Sequence, residues 1–170
     1  RARHIGVCSV PSRHDRETVD KAMDQVGIGS IQDKPCTQLS GGQLQLVFIA
    51  RALASEPKVL VLDEPESHLD FKNQFMMLHL IKTLVKERGI SCIMNTHYPE
   101  HALRLSDTTL LLGKNSYLFG RTQEIITEQR VKEYFDIEAK ILSVPYHDES
   151  IKAFVVLENF DSVEGVYSSS

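Results

Sequence analysis

The sequence KVLVLDEP, at residues 58–65, sets the architecture of this chain. Four consecutive apolar residues end abruptly on two acids, Asp63 and Glu64. An apolar run of this length without alternation is typical of a strand buried on both faces, as in a parallel sheet. Open α/β sheets bind their ligands beyond the carboxyl ends of the strands. The pattern therefore predicts a buried strand that delivers two carboxylates to a ligand site.

The residues that follow complete a βαβ unit. Residues 70–88 carry apolar side chains at helical spacing, and Gly89 ends this helix before a second strand, ISCIMNTH at residues 90–97. Because such a crossover makes the strands parallel, His97 is expected at the same sheet edge as Asp63 and Glu64. Adjacent strand residues point to opposite faces, so one acid can bind a cation while its neighbour orients a water molecule.

The residues before the strand predict helices. Residues 1–37 are expected to be helical, with a helix that Ser12 or Asp15 caps and Gly27 ends. Ser40 is expected to cap a further helix that runs to about Ala54.

The first turn of that second helix is nearly bare backbone. Ser40 and Gln43 form an S-x-x-Q capping box, which is a common helix cap. Gly41 and Gly42 each destabilise a helix by about 1 kcal/mol relative to alanine. Glycines let another molecule approach the positive helix end closely, as phosphate recognition requires. The turn is therefore either an anion site or only a cap.

The remainder of the chain predicts two hairpins and two short helices. The hairpins are expected at residues 108–119 and 137–160, and the helices at residues 123–126 and 127–135. We expect four segments: a helical part at residues 1–56, a sheet-containing core at 57–135, a C-terminal hairpin at 136–167 and a disordered tail at 168–170.

Composition argues against several function classes. The chain has 170 residues, a formal net charge of −4 and scattered Lys and Arg, so it has no basic stripe for nucleic-acid binding. Its three separated cysteines fit a reducing compartment and argue against a disulfide framework or zinc knuckle. No apolar run approaches the roughly 20 residues that cross a bilayer, so a membrane connection is expected through a partner.

Four motifs, in order, resemble the nucleotide-binding subunits of ABC transporters. They are LSGGQLQ at residues 39–45, VLVLDEP at 59–65, SHLD at 67–70 and NTH at 95–97. The resemblance implies an α/β fold of the P-loop NTPase (ABC ATPase) type, with three layers around a parallel core sheet. ESHLDFKNQ and NTHYPEHAL are most similar to importers of iron siderophores, haem or cobalamin.

This resemblance implies an ATP-hydrolysing subunit that energises import of a metal chelate. The implied cofactors are ATP and Mg²⁺. The implied partners are a second nucleotide-binding subunit, in a head-to-tail dimer, and an integral membrane permease. The subunit would lie on the cytoplasmic face of the cell membrane.

The resemblance also implies residue roles in binding the nucleotide and its metal. The signature motif, which faces ATP bound to the partner subunit, comprises Leu39, Ser40, Gly41, Gly42 and Gln43. Asp63 would hold Mg²⁺, and Asp70 would belong to the D-loop between subunits.

Two further residues are implied to be catalytic. Glu64 would polarise the attacking water, and His97 would touch the γ-phosphate. Leu44 stands where the family usually has a polar or basic residue, and Glu66 where threonine is common; neither touches the chemistry directly.

The chain contains no phosphate loop of the form G-x-x-x-x-G-K-[ST]. In this family the Walker A loop, the Q-loop and an adenine-stacking aromatic residue lie upstream of the signature. The resemblance therefore implies a C-terminal part of the family's domain, truncated at its N-terminus. Because phosphoryl transfer depends on positioning and charge stabilisation, this chain alone is expected to be nearly inactive.

Two other functions stay open, and a third is disfavoured. One is a non-catalytic interaction module of the same family. Another is the C-terminal lobe of a chromosome or DNA-repair ATPase, although residues 1–38 lack the long heptads that precede the signature there. A zinc protease is disfavoured because Tyr98 replaces the needed Glu between His97 and His101, and Pro99 interrupts the motif.

Overall fold

The computed structural model describes residues 10–67, 69–147 and 149–157. The chain divides into two compact units, Arg1–Asn95 and Thr96–Ser170. The predicted disordered tail at residues 168–170 and the last three residues of the predicted second hairpin, 158–160, lie outside the described residues.

The described residues of the first unit form three α-helices and a two-stranded sheet. The helices are α1 (Arg13–Gln25), α2 (Gly41–Leu53) and α3 (Phe71–Arg88), and the strands are β1 (Val59–Asp63) and β2 (Ser91–Asn95). Residues 1–37 were predicted to be helical; residues 1–9 lie outside the described residues, and after α1 the chain up to Ser40 forms only 3-10 turns, Gly29–Ile31 and Cys36–Gln38. Gly27, with φ +73°, takes the left-handed conformation that turns the chain out of α1.

Strands β1 and β2 are parallel, in a register that runs from Val59 opposite Ser91 to Asp63 opposite Asn95. Because α3 connects them, the predicted βαβ crossover is confirmed. The prediction that β1 is buried on both faces is wrong, since Val59 is 49% exposed and Val61 is 70% exposed. Leu62 on the opposite face packs against the helical core. Helices of this unit thus cover one face of the sheet.

Helix α2 is held by its inward face. Ile49 and Leu53 are only 1% and 2% exposed, and they belong to one hydrophobic cluster with residues of α1 and α3. Phe48, beside Ile49 in sequence, points outward and is 51% exposed. This packing fixes the direction in which the first turn of α2 points.

In the second unit, the part that the structure describes forms two antiparallel hairpins and three short helices. Its elements are α4 (Pro99–Leu105), β3 (Thr108–Leu112), β4 (Tyr117–Arg121), α5 (Thr122–Ile125), α6 (Glu128–Phe135), β5 (Glu138–Tyr146) and β6 (Glu149–Leu157). The predicted hairpins and the short helices α5 and α6 are confirmed. Helix α4 was not predicted, although Pro99 at its first position and Glu100 in its first turn are start signals.

Ion pairs attach β5 to α6 in the second unit. The ammonium group of Lys140 donates to Glu128 Oε2 at 2.8 Å, and the Ile141 amide donates to Glu128 Oε1 at 3.1 Å. The hydrogen bond from Lys140 lowers the pKa of Glu128 from its ordinary value. Lys132 and Glu138 form a second ion pair between the same elements.

Among the described residues, no helix combines the length and the apolar character that a membrane span requires.

Candidate functional site

Asp63 and Glu64 lie at the carboxyl end of β1, next to the end of β2. The side-chain amide of Asn95 donates to Asp63 Oδ1 at 2.8 Å. The backbone amide of Glu64 donates to the carbonyl oxygen of Asn95 at 3.0 Å. Asn95 therefore ties both acidic residues to the neighbouring strand. Its sequence signal was its place at the end of the second predicted strand.

Glu64 has an unusual backbone conformation. Its φ of +43° lies in the left-handed region. For a residue other than glycine, such a conformation costs of order 1 to 3 kcal/mol and persists where surrounding contacts enforce it. Here the Ser67 amide donates to the Glu64 carbonyl at 3.0 Å, and Ser67 Oγ donates to Glu64 Oε2 at 2.8 Å. The carboxylates of the two acids thus have different hydrogen-bond partners, Asn95 for Asp63 and Ser67 for Glu64.

The chemistry of Asp63 fits a magnesium ion that takes most of its ligands from elsewhere. Its side chain is exposed at the sheet edge. In the part of the chain that the structure describes, no group of three or more His, Cys, Asp or Glu side chains could form a protein cage for a metal. Mg²⁺ in nucleotide sites is usually held by one or two carboxylates, with phosphates and water completing its octahedron.

The glycine turn at the start of α2 has the predicted capping box. Ser40 Oγ accepts from the Gln43 amide at 3.2 Å, and Gln43 Oε1 accepts from the Ser40 amide at 3.1 Å. Leu39 precedes the cap in extended conformation and is half-buried. In helix geometry, first-turn amides such as those of Gly41 and Gly42 have no acceptor within the helix. A Cβ atom on Gly41 would meet no atom within 4 Å, so a ligand can approach this backbone closely.

Gly42 brings the glycine turn against the loop that follows the acids. A Cβ atom at Gly42 would lie 3.3 Å from Leu69 Cδ2. The Leu69 amide donates to the carbonyl of Glu66 at 3.4 Å, which links it to the turn after Glu64. The loop from Asp63 to Asp70 therefore connects the acid pair to the glycine turn within the first unit.

Asp70 is the N-cap of α3. Its Oδ1 accepts from the Asn73 amide and its Oδ2 accepts from Asn73 Nδ2, both at 2.8 Å. These bonds fix the start of α3 and the end of the loop. A contact of Asp70 with another subunit stays a prediction.

His97 belongs to the second unit, where it is exposed between β2 and α4. The Tyr98 amide donates to Thr96 Oγ1 at 3.2 Å, and Thr96 Oγ1 lies 3.4 Å from Nδ1 of His101. His101 is 3% exposed and packs beside the Tyr98 ring, with ring centroids 4.8 Å apart. These contacts order the residues on either side of His97. Its expected proximity to the acids stays a prediction.

Comparison with solved structures defines the class of protein. The chain superimposes with a TM-score of 0.87 on a solved ABC transporter assigned to the metal-chelate type and captured in an inward-facing conformation. The two are 34% identical, and the match covers 93% of this chain and 63% of that chain. The predicted fold class is thereby confirmed: the chain has the P-loop NTPase fold of an ABC ATPase domain.

Sequence comparison agrees with the fold. Residues 3–67 match the ABC transporter family. The chain is 34% identical over 157 residues to the molybdate import ATP-binding protein MolC of Haemophilus influenzae, a match that covers 92% of this chain and 62% of the relative. It is 36% identical over 132 residues to the iron(3+)-hydroxamate import ATP-binding protein FhuC of Bacillus subtilis, a match that covers 77% of this chain and 49% of that relative. The chain thus matches the ABC transporter family and is similar to its ATP-binding subunits, and it spans less than two thirds of the length of these relatives.

Proposed function

We propose that this chain forms the catalytic-acid and signature portion of an ATP-hydrolysing subunit that energises import through a membrane permease. The observation that carries the proposal is the loop from Asp63 to Asp70. It begins at a carboxylate pair on the end of a parallel strand. Before it reaches Asp70, its Leu69 packs against Gly42 in the glycine turn of α2.

The two acids are suited to different tasks. Asp63, exposed at the strand end, would contribute one carboxylate to Mg²⁺, and the ion would neutralise charge on the phosphates of ATP. Glu64, held on its own turn by Asn95 and Ser67, would polarise the attacking water. His97 would contact the γ-phosphate, as the family resemblance implies.

The glycine turn would serve a nucleotide that another subunit holds. No phosphate loop of the form G-x-x-x-x-G-K-[ST] occurs in these 170 residues. The start of α2 nonetheless offers two glycine amides, a positive helix end and open space at Gly41. We propose that Leu39 to Gln43 face the phosphates of ATP bound to a partner subunit in a head-to-tail dimer, with Asp70 at the same interface. The Gly42–Leu69 contact supports a shared surface for these two elements.

A metal chelate is the proposed cargo, imported through a permease with this subunit on its cytoplasmic side. Support comes from the metal-chelate type assigned to the transporter above and from the iron(3+)-hydroxamate specificity in the name of FhuC. Molybdate is the second candidate, because the similarity to MolC covers 92% of this chain. Uptake of labelled ferric hydroxamate and labelled molybdate by cells with and without the intact gene would distinguish the two.

ATP hydrolysis provides the first test of this proposal. The intact subunit that carries this chain, reconstituted with its permease in lipid vesicles, is expected to hydrolyse ATP only when Mg²⁺ is present. The 170-residue chain alone is expected to show no turnover above the buffer rate, because it has no lysine loop for the phosphates. If the isolated chain hydrolysed ATP, the proposal that the phosphate-binding lysine loop lies outside these 170 residues would be wrong. If the intact complex hydrolysed no ATP, the proposed ATP-hydrolysing function would be wrong.

A further inference from the structure

We propose that Ser67 is a positioning residue that orients the carboxylate of Glu64 for hydrolysis, an inference that rests on the function proposed above. Ser67 follows Glu64 by three residues and donates to it twice. Its amide donates to the Glu64 carbonyl at 3.0 Å, and its hydroxyl donates to Glu64 Oε2 at 2.8 Å. Both residues are half-buried, so bulk water competes less with the hydroxyl–carboxylate bond than it would at an open surface.

The backbone of Glu64 is fixed at both of its polar groups. Its amide donates to Asn95 on β2, and its carbonyl accepts from Ser67. The left-handed φ of +43° is thus held by hydrogen bonds on both sides. With the backbone pinned, the direction of the carboxylate depends on the torsions of a long side chain. The Ser67 hydroxyl restrains those torsions.

The orientation of this carboxylate matters for the reaction. An acid that polarises water must hold that water in line with the phosphorus atom, and small misplacements of reacting groups are costly to rate. A hydrogen bond from a hydroxyl to a carboxylate is charge-assisted and therefore restrains the group strongly. Loss of the Ser67 hydroxyl should weaken the restraint on the Glu64 carboxylate and slow the chemical step. It should leave ATP affinity unchanged, because Ser67 is not proposed to touch the nucleotide.

A pair of variants with the same shape isolates the hydroxyl. In the intact reconstituted subunit, Ser67→Val is expected to lower kcat about 10-fold, the size expected for one hydrogen bond to a charged group. Its KM for ATP should stay within about 2-fold, since only the chemical step is affected. Ser67→Thr retains a hydroxyl and is expected to restore most of the turnover. The Thr and Val side chains differ by one hydroxyl against one methyl, so a general packing defect would affect both variants alike.

The matched control is Ser55→Ala, at the far end of α2. Ser55 Oγ donates to the Ala52 carbonyl at 2.7 Å in an exposed turn, so its removal deletes a serine hydrogen bond away from the acids. Turnover of this variant should equal that of the wild type. Melting temperatures of all variants report whether folding is retained.

Several outcomes would overturn the proposal for Ser67. The first is that Ser67→Val and Ser67→Thr have equal kcat values. The second is that Ser67→Val lowers kcat/KM only by raising KM. If instead the proposed ATPase function were wrong, the result would differ, because the wild type itself would show no Mg²⁺-dependent turnover. An active Glu64→Gln variant together with a slow Ser67→Val variant would show that Ser67 does not act through Glu64.

Discussion

Replacing Glu64 with glutamine is expected to reduce ATP turnover of the intact subunit by at least about 100-fold, the lower range for loss of a general base. The amide keeps the size of the side chain and can still accept from Ser67 Oγ, so the turn should survive. It cannot take a proton from water. ATP affinity should remain within a few fold of wild type, because Asp63 and the phosphate-binding residues are unchanged. Turnover and nucleotide binding measured on the same preparation check both parts.

The control for this substitution is Glu87→Gln. Glu87 is exposed in the last turn of α3, and its replacement makes the same change in charge. This variant should hydrolyse ATP at the wild-type rate. If Glu64→Gln retained wild-type turnover, another group would have to activate the water. In that case the role proposed for the strand-end acids would be wrong.

Replacing Ile49 with alanine is expected to lower the free energy of unfolding by about 3 kcal/mol, within the usual range for a large buried aliphatic residue. Ile49 is 1% exposed and lies in the cluster that joins α1, α2 and α3. Its truncation would leave a cavity beneath the helix whose first turn carries the signature residues. Urea unfolding, followed by circular dichroism, measures the loss.

The neighbouring residue supplies a stringent control. Phe48→Ala removes a larger side chain from the same helix, but this side chain is 51% exposed. Its cost should stay below about 1 kcal/mol, as for most exposed positions. Equal losses for the two variants, or a larger loss for Phe48→Ala, would contradict the orientation of α2 described above.

The elements that could be predicted from sequence are those with a local physical signature. The capping box of Ser40 and Gln43 is a matter of two side chains three residues apart, and it forms as expected. The βαβ crossover follows from an apolar run, a helical period and Gly89, which takes the left-handed φ of +61° that ends α3. Such features depend on neighbouring residues in the chain.

The features that escaped prediction depend on contacts between distant residues. An apolar run cannot show how many layers will cover it, so the exposed side of β1 was missed. The bond from Asn95 to Asp63 joins residues 32 positions apart. Glu66 is an acid that sequence reasoning would place at the surface, and it is fully buried. Helix α4 was missed because its 7 residues make fewer than two turns, which is too short for apolar side chains to show a helical period.

The measurement that most directly tests the central claim is a structure of the intact Glu64→Gln subunit with MgATP. We predict a head-to-tail dimer in which Ser40 Oγ and the amides of Gly41 and Gly42 lie within about 3 Å of phosphate oxygens of the partner's nucleotide, the distance of an ordinary hydrogen bond. Asp63 and the substituted side chain at position 64 should face the nucleotide of their own subunit. A dimer in which the start of α2 points away from every nucleotide would contradict the account.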